Sequence, residues 1–189
     1  MAITIIKLAS LDANDGFRLE GEAENDWSGY ATSAAGDVNN DGFDDVIVGA
    51  PFADQNGSYS GSSYVVFGQV AGLSARLNLS SLDGVNGFRL DGESPDDHSG
   101  GSVSSAGDVN GDGFDDVIVG ASEADKNGQY SGSSYVVFGK AFGFNASLNL
   151  SSLDGNNGFR IDGESIYDHS GRSVSNAGDI NGDGFDDVI

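Results

Sequence analysis

Gly107-Asp108-Val109-Asn110-Gly111-Asp112-Gly113-Phe114-Asp115-Asp116-Val117-Ile118-Val119-Gly120-Ala121 carries two signals in one stretch. Asn-Gly and Asp-Gly pairs mark a tight hairpin turn. The unbroken apolar run Val117-Ile118-Val119 that follows is the pattern of a short strand buried on both faces. The same stretch occurs upstream as Gly36 to Ala50 and downstream from Gly178 to Ile189, each copy 71 residues from the next. Working outward, Gly16-Phe17-Arg18, Gly87-Phe88-Arg89 and Gly158-Phe159-Arg160 keep that spacing, as do Leu11-Asp12, Leu82-Asp83 and Leu153-Asp154. No insertion separates the copies, and 189 residues at a 71-residue period hold about 2.7 units.

One unit reads as four short strands: Ser102 to Ala106, Asp116 to Val119, Ser134 to Phe138 and Gly87 to Asp91. Turn-rich segments join them, and Leu77, Leu79 and Leu82 leave open a short extra turn or strand. Thirty glycines with only two prolines fit many tight turns and no collagen-like repeat. The fold class predicted is all-β, with β-propeller blades of four antiparallel strands in an incomplete, open arc. The divisions are 1–30, the last strand and connector of a preceding blade; 31–101 and 102–172, two blades; and 173–189, the first two strands of a further blade. A piece cut in this phase is expected to belong to a longer repeat protein or to self-associate through its exposed blade faces.

The hairpin carries the chemistry. Asp37, Asn39, Asp41 and Asp45 occupy positions one, three, five and nine of the first loop, with Gly42 at six. Asp108, Asn110, Asp112 and Asp116 repeat this pattern, and so do Asp179, Asn181, Asp183 and Asp187. Hard oxygens at alternate positions, a sharp glycine turn and a closing carboxylate form the ligand logic of a Ca²⁺ loop. The backbone carbonyls of Phe43, Phe114 and Phe185 at position seven complete each set. One Ca²⁺ per complete loop is expected, with Mg²⁺ a poor substitute because it demands tighter octahedral geometry. An acidic, solvated hairpin would explain the glycines but not the recurring Asp, Asn, Asp and Asp. An EF-hand is excluded because Val48 and Val119 stand at position twelve, where a bidentate Glu is needed.

Together with Asp116-Val117-Ile118-Val119-Gly120-Ala121 and with Val48-Gly49-Ala50-Pro51 of the first copy, these loops resemble the FG-GAP repeat, of the bacterial type. In the second copy Ser122 stands where proline is usual. The resemblance covers the whole chain and implies the propeller of integrin α subunits and of bacterial surface proteins, with Ca²⁺ bound in the hairpin between the first two strands of each blade. It further implies a non-catalytic, extracellular or cell-surface segment used in adhesion or surface interaction, with a protein or glycan ligand. In integrins the partner face is built from loops opposite the calcium hairpins, here 51–61, 122–132, 94–101 and 165–171. A carbohydrate- or substrate-binding repeat region of a larger secreted hydrolase is the alternative, and a cytosolic scaffold a weaker third.

Thirty acidic against eight basic side chains give a net charge of -22, which repels nucleic acid and anionic membranes alike. No apolar run is long enough to insert in a bilayer. The absence of cysteine excludes disulfides and thiolate metal sites. Met1 to Ser10 does not read as a signal peptide. His98 and His169 share their repeat position with Trp27, which points to a packing or inter-blade hydrogen-bond position, and no serine, cysteine or carboxylate is expected to complete a triad with them. Arg18, Arg89 and Arg160, beside Glu20, Asp91 and Asp162, are expected to form ion pairs between blades. Glu22, Glu93 and Glu164 read as solubilising charges on one face, and Asp44, Asp115 and Asp186 as position-eight residues turned away from the metal. Tyr64 and Tyr135 read as core, and Tyr59 and Tyr130 as a contact surface.

Overall fold

A computed structural model describes residues 16–69 and 74–189. The expectations for 1–15, including the start of the 1–30 unit and the Met1 to Ser10 reading, lie outside the described residues.

The first complete blade is built from β2 (Ala31–Gly36), β3 (Asp45–Ala50), β4 (Ser62–Val66) and β6 (Gly87–Asp91), each antiparallel to the one before it. The second repeats it with β7 (Ser102–Gly107), β8 (Asp116–Ala121), β9 (Ser133–Val137) and β11 (Gly158–Asp162). Before them stands β1 (Arg18–Glu20), and after them the hairpin of β12 (Asn176–Gly178) and β13 (Asp187–Val188). The first strands β2, β7 and β12 lie side by side, with the blades stacked around them. This is an all-β, propeller-like arc, not a closed barrel.

The strand ends differ from expectation at four places. The second strand continues through Gly120 and Ala121 because the Gly120 backbone pairs with Ser102 on one side and Ser134 on the other. The first strand runs on to Gly107 past a register shift after Ser105, and the third lies one residue earlier than expected at both ends, from Ser133 to Val137.

The blade also has a fifth, parallel strand. β5 (Arg76–Asn78) pairs with β1, and β10 (Ser147–Asn149) pairs with β6, so each connection between third and fourth strands reaches back to the preceding blade. A 3₁₀ turn follows each, Leu79–Ser81 and Leu150–Ser152, capped by the side chains of Asn78 and Asn149. The leucines left open by the sequence thus serve as both strand and turn. From the second connection Phe144 stacks on Phe88 at 4.7 Å and meets Phe67 at 5.1 Å, fastening one blade onto the other.

Strand alternation sorts the core into layers. Ile47, Val65, Phe88 and Leu90 of the first blade meet Val103, Val117, Val119 and Tyr135 of the second in one cluster. Val48, Ala50, Tyr64 and Val66 face the other way with Leu79 and Leu82. Each blade therefore buries its faces on its neighbours, and stability is a nearest-neighbour property. Tyr64 and Tyr135 are core residues as expected, with no exposed area.

Candidate metal centre

Each loop sits at the tip of the hairpin joining the first two strands of its blade. Gly36 and Gly107 open the first two loops in the left-handed region, at φ +77° and +70°. Asp37 Oδ1 and Asn39 Oδ1 both accept from the Asp41 amide, at 2.9 and 3.0 Å, so two of the expected ligand oxygens converge on one point. Asp37 Oδ2 accepts from Gly42 N, and Asp41 Oδ1 from Phe43 N. The second loop repeats every one of these bonds: Asp108 and Asn110 accept from Asp112 N at 3.0 and 2.8 Å, Asp108 from Gly113 N, and Asp112 from Phe114 N. The third matches, with Asp179 and Asn181 accepting from Asp183 N at 3.1 and 2.9 Å and Asp183 from Phe185 N.

Position nine closes the loop from the start of the second strand. Asp45 is 1 % exposed and Asp116 fully buried. Asp45 accepts from Val38 N at 2.9 Å and Gly68 N at 2.8 Å, and Asp116 from Val109 N at 3.0 Å and Gly139 N at 2.8 Å. Burial pushes both carboxyls up to about 7, against the pull of those amides and with the help of the loop's other two aspartates. Asp187 is only half-buried and accepts from Ile180 N at 3.0 Å. Among the described residues, no three carboxylate, imidazole or thiol groups come together as a metal cluster by themselves. The structure thus does not draw the three expected carboxylates of a loop into one cluster; with the Asn oxygen and the position-seven carbonyl they would make a mixed set of hard oxygens of the kind that suits Ca²⁺. Among the described residues, the charges that act most on Asp45 and Asp116 are the other aspartates of their loops, and a divalent cation would compensate them.

The pH response follows. In excess chelator, the raised position-nine carboxyls hold their protons more tightly folded than unfolded, so stability should increase as pH falls from about 7 toward 4 and be lost as pH rises through about 7. In saturating calcium the slope should reverse, because acid displaces the ion. Melting curves between pH 5 and 8 in the two media check this, and parallel slopes would contradict it.

Other candidates fall into place around the blades. Arg89 pairs with Asp91 on its own strand at 2.6 Å and with Glu22 of the preceding connector at 2.9 Å. Arg160 pairs likewise with Asp162 at 2.6 Å and Glu93 at 3.0 Å. Arg18 pairs with Glu20. The expectation of ion pairs between blades thus holds through Glu22 and Glu93. These two glutamates are not merely solubilising: Glu22 accepts from the Tyr64 hydroxyl and Glu93 from the Tyr135 hydroxyl, both at 3.0 Å, because each connector lays its acid over the next blade. Glu93 also takes Lys126 at 2.6 Å. Glu164 is exposed. Glu93→Gln is expected to cost about 1–2 kcal/mol, and Glu164→Gln less than about 0.5 kcal/mol, by urea unfolding. Equal effects would contradict the assignment.

Trp27, His98 and His169 share a left-handed backbone, at φ +57°, +52° and +52°. Their rings pack: Trp27 on Phe52 at 4.6 Å, His98 on Tyr59 at 5.7 Å, and His169 on Tyr130 at 5.6 Å. The packing reading holds. A carboxylate does stand beside His98, contrary to expectation: Glu123 is 3.2 Å from Nδ1, because the next blade's 122–132 loop folds over it. Tyr59 is exposed and Tyr130 half-buried, each with its ring against a histidine. With the 51–61, 94–101, 122–132 and 165–171 segments they lie at the blade end opposite the hairpin loops.

Sequence reasoning missed the role of Asp115 and Asp186. They do point away from their own loops' ligand sets, but toward the preceding blade: Asp115 accepts from Asp37 N at 2.8 Å and Asp186 from Asp108 N at 3.0 Å. Gly36 and Gly107 lack side chains where those carboxylates lie. The partners stand 78 residues apart, one repeat plus seven, so no local signal marked them; only the repeated Gly-Asp pairs Gly36-Asp37 and Gly107-Asp108 hinted at a close approach.

Blades that stack through nearest-neighbour contacts, with an oxygen-rich hairpin at one end of each, define a propeller-type repeat protein. The FG-GAP repeat family matches residues 28–66 and 99–137, and the chain is an FG-GAP repeat protein of the integrin α-like kind. It is 34% identical to integrin alpha pat-2 of Caenorhabditis elegans over 164 residues, covering 82% of this chain and 12% of that protein. It is 36% identical to human integrin alpha-7 over 155 residues, covering 73% of this chain and 12% of the relative. It is also 32% identical to bovine phosphatidylinositol-glycan-specific phospholipase D over 163 residues, covering 85% of this chain and 18% of that protein. The chain thus spans less than a fifth of the length of these relatives.

Proposed function

We propose that the chain is an extracellular, calcium-stabilised propeller segment used in adhesion or surface interaction, with no catalytic part of its own. The observation that carries this is the repeated loop: Asp37, Asn39, Asp41, Phe43 and Asp45, and their counterparts in the other two copies, would hold one Ca²⁺ each. The ion supplies the positive charge that the buried position-nine carboxylates lack. Its role is structural: it would hold the hairpin shut and the first two strands in register, linking folding to the millimolar calcium outside cells. The opposite end of the blades, with Tyr59 and Tyr130, would face a protein or glycan ligand. Among the described residues, no helix is long and apolar enough to cross a membrane. The test is thermal unfolding in millimolar calcium, magnesium and chelator. Calcium should raise the midpoint well above chelator, and magnesium should do little; identical curves would refute the proposal.

A second reading takes support from the likeness to a phospholipase D. In it the segment is the carbohydrate- or substrate-binding repeat region of a larger secreted hydrolase. Saturable binding of soluble oligosaccharides by the calcium-loaded chain would favour this reading over adhesion to a protein.

A further inference from the structure

The hairpin loops are not independent of one another. Asp115, at position eight of the second loop, accepts from the Asp37 amide at 2.8 Å, while its own amide donates to the Asp37 carbonyl at 3.3 Å. Asp186 and Asp108 repeat this reciprocal pair one blade on, at 3.0 and 3.1 Å. In both cases the bonded residue is position one of the preceding loop, whose side chain is a ligand in the metal reading. The segment after β9 of the second blade is also tied in: the Lys140 amide donates to Val38 O at 3.0 Å. Asp115 and Asp186 are half-buried, whereas Asp44, the same position in the first loop, is exposed and makes no such bond among the described residues.

We infer that Asp115 and Asp186 are positioning residues that tie each metal loop to the loop of the next blade, so that calcium ions in adjacent blades bind with positive coupling. The inference rests on the metal reading above. The mechanism is direct. An ion in the second loop fixes Asp116, and with it the adjacent Asp115. Asp115 then holds the backbone of Asp37 where its carboxylate must stand. A first loop already held this way loses less freedom when its own ion arrives, and that saving is a coupling free energy. Reciprocity requires the first ion to favour the second equally. The carboxylate suits the role because a charged acceptor roughly doubles the strength of a hydrogen bond to an amide.

The test is a calcium titration of the full chain followed through backbone amide resonances, which read each loop separately. In the unaltered chain the Asp37–Asp45 and Asp108–Asp116 loops should fill together. In Asp115→Ala the first loop, which keeps all its ligands, should need about tenfold more calcium for half-saturation. The second loop also keeps all its ligands and, because the coupling it loses is reciprocal, should shift by a similar factor, with both binding curves becoming shallower. Asp44→Ala removes the same charge at the same loop position and should leave both loops within about twofold. Asp115→Asn keeps an acceptor oxygen, should fall between Asp115→Ala and the unaltered chain, and carries the test if Asp115→Ala does not fold. A variant at Asp115 that weakens only its own loop, or that leaves the first loop unchanged, would overturn the inference while leaving the metal reading intact. An unaltered chain with no saturable calcium response would instead remove the metal reading itself.

Discussion

Asp112→Ala is expected to cost about 2–3 kcal/mol in saturating calcium, the stabilisation that one ion at about a hundred times its dissociation constant supplies. In excess chelator the same change should cost no more than about 0.5 kcal/mol, the usual effect of an exposed substitution. Asp112 is an exposed residue whose contacts are local: Oδ1 accepts from Phe114 N at 3.0 Å and Oδ2 from Asn110 Nδ2 at 2.9 Å. Nothing in that arrangement explains a large stability role unless a cation binds there. The loss should concentrate in the second blade and its two interfaces, because coupling along the arc is nearest-neighbour. Urea unfolding of both chains in both media is the check. An equal loss in calcium and in chelator would mean that Asp112 is only a turn residue.

Gly120→Ala is expected to be among the most damaging single-methyl changes, at about 3 kcal/mol or more. Gly120 lies in β8 with ordinary extended backbone, so the loss would come from packing and not from conformational strain. A Cβ there would sit well inside contact distance of the Gly171 carbonyl oxygen and the Ser102 hydroxyl, and Gly171 belongs to the connector crossing to the next blade. Gly49 meets the Gly100 carbonyl in the same way one blade earlier, and the Gly100 amide donates to Gly120 O at 3.0 Å. The glycine after the apolar run is therefore the point where blade and connector backbones touch. Gly143→Ala separates packing from strain. Its φ is +80° with nothing within 4 Å, so it should cost only about 1 kcal/mol. A Gly120→Ala chain as stable as Gly143→Ala would contradict this account of blade stacking.

The four antiparallel strands of a blade and their order could be read from the sequence because each declares itself locally, Val117-Ile118-Val119 by its unbroken apolar run and Gly87 to Asp91 by its alternation. The three hairpin loops were equally legible, since loop geometry is set by residues adjacent in the chain. What stayed hidden involves partners far apart. The parallel strands β5 and β10 are only three residues long, too short for any period to show, and their pairing depends on the outer strand of another blade. Glu22 and Glu93 looked like surface charge because their partners Arg89 and Arg160 come 67 residues later. Asp115 looked idle for the same reason: it serves the loop 78 residues before it. In a repeat protein one unit can be read alone, but the contacts between units are fixed only when two are stacked.

Calcium binding by the loops is the central claim, and calorimetric titration of the metal-free chain tests it most directly. The account predicts saturable binding of about one Ca²⁺ per loop, with Mg²⁺ unable to displace it at similar concentration. Absence of both heat and thermal shift up to several millimolar Ca²⁺, in a folded chain, would contradict it.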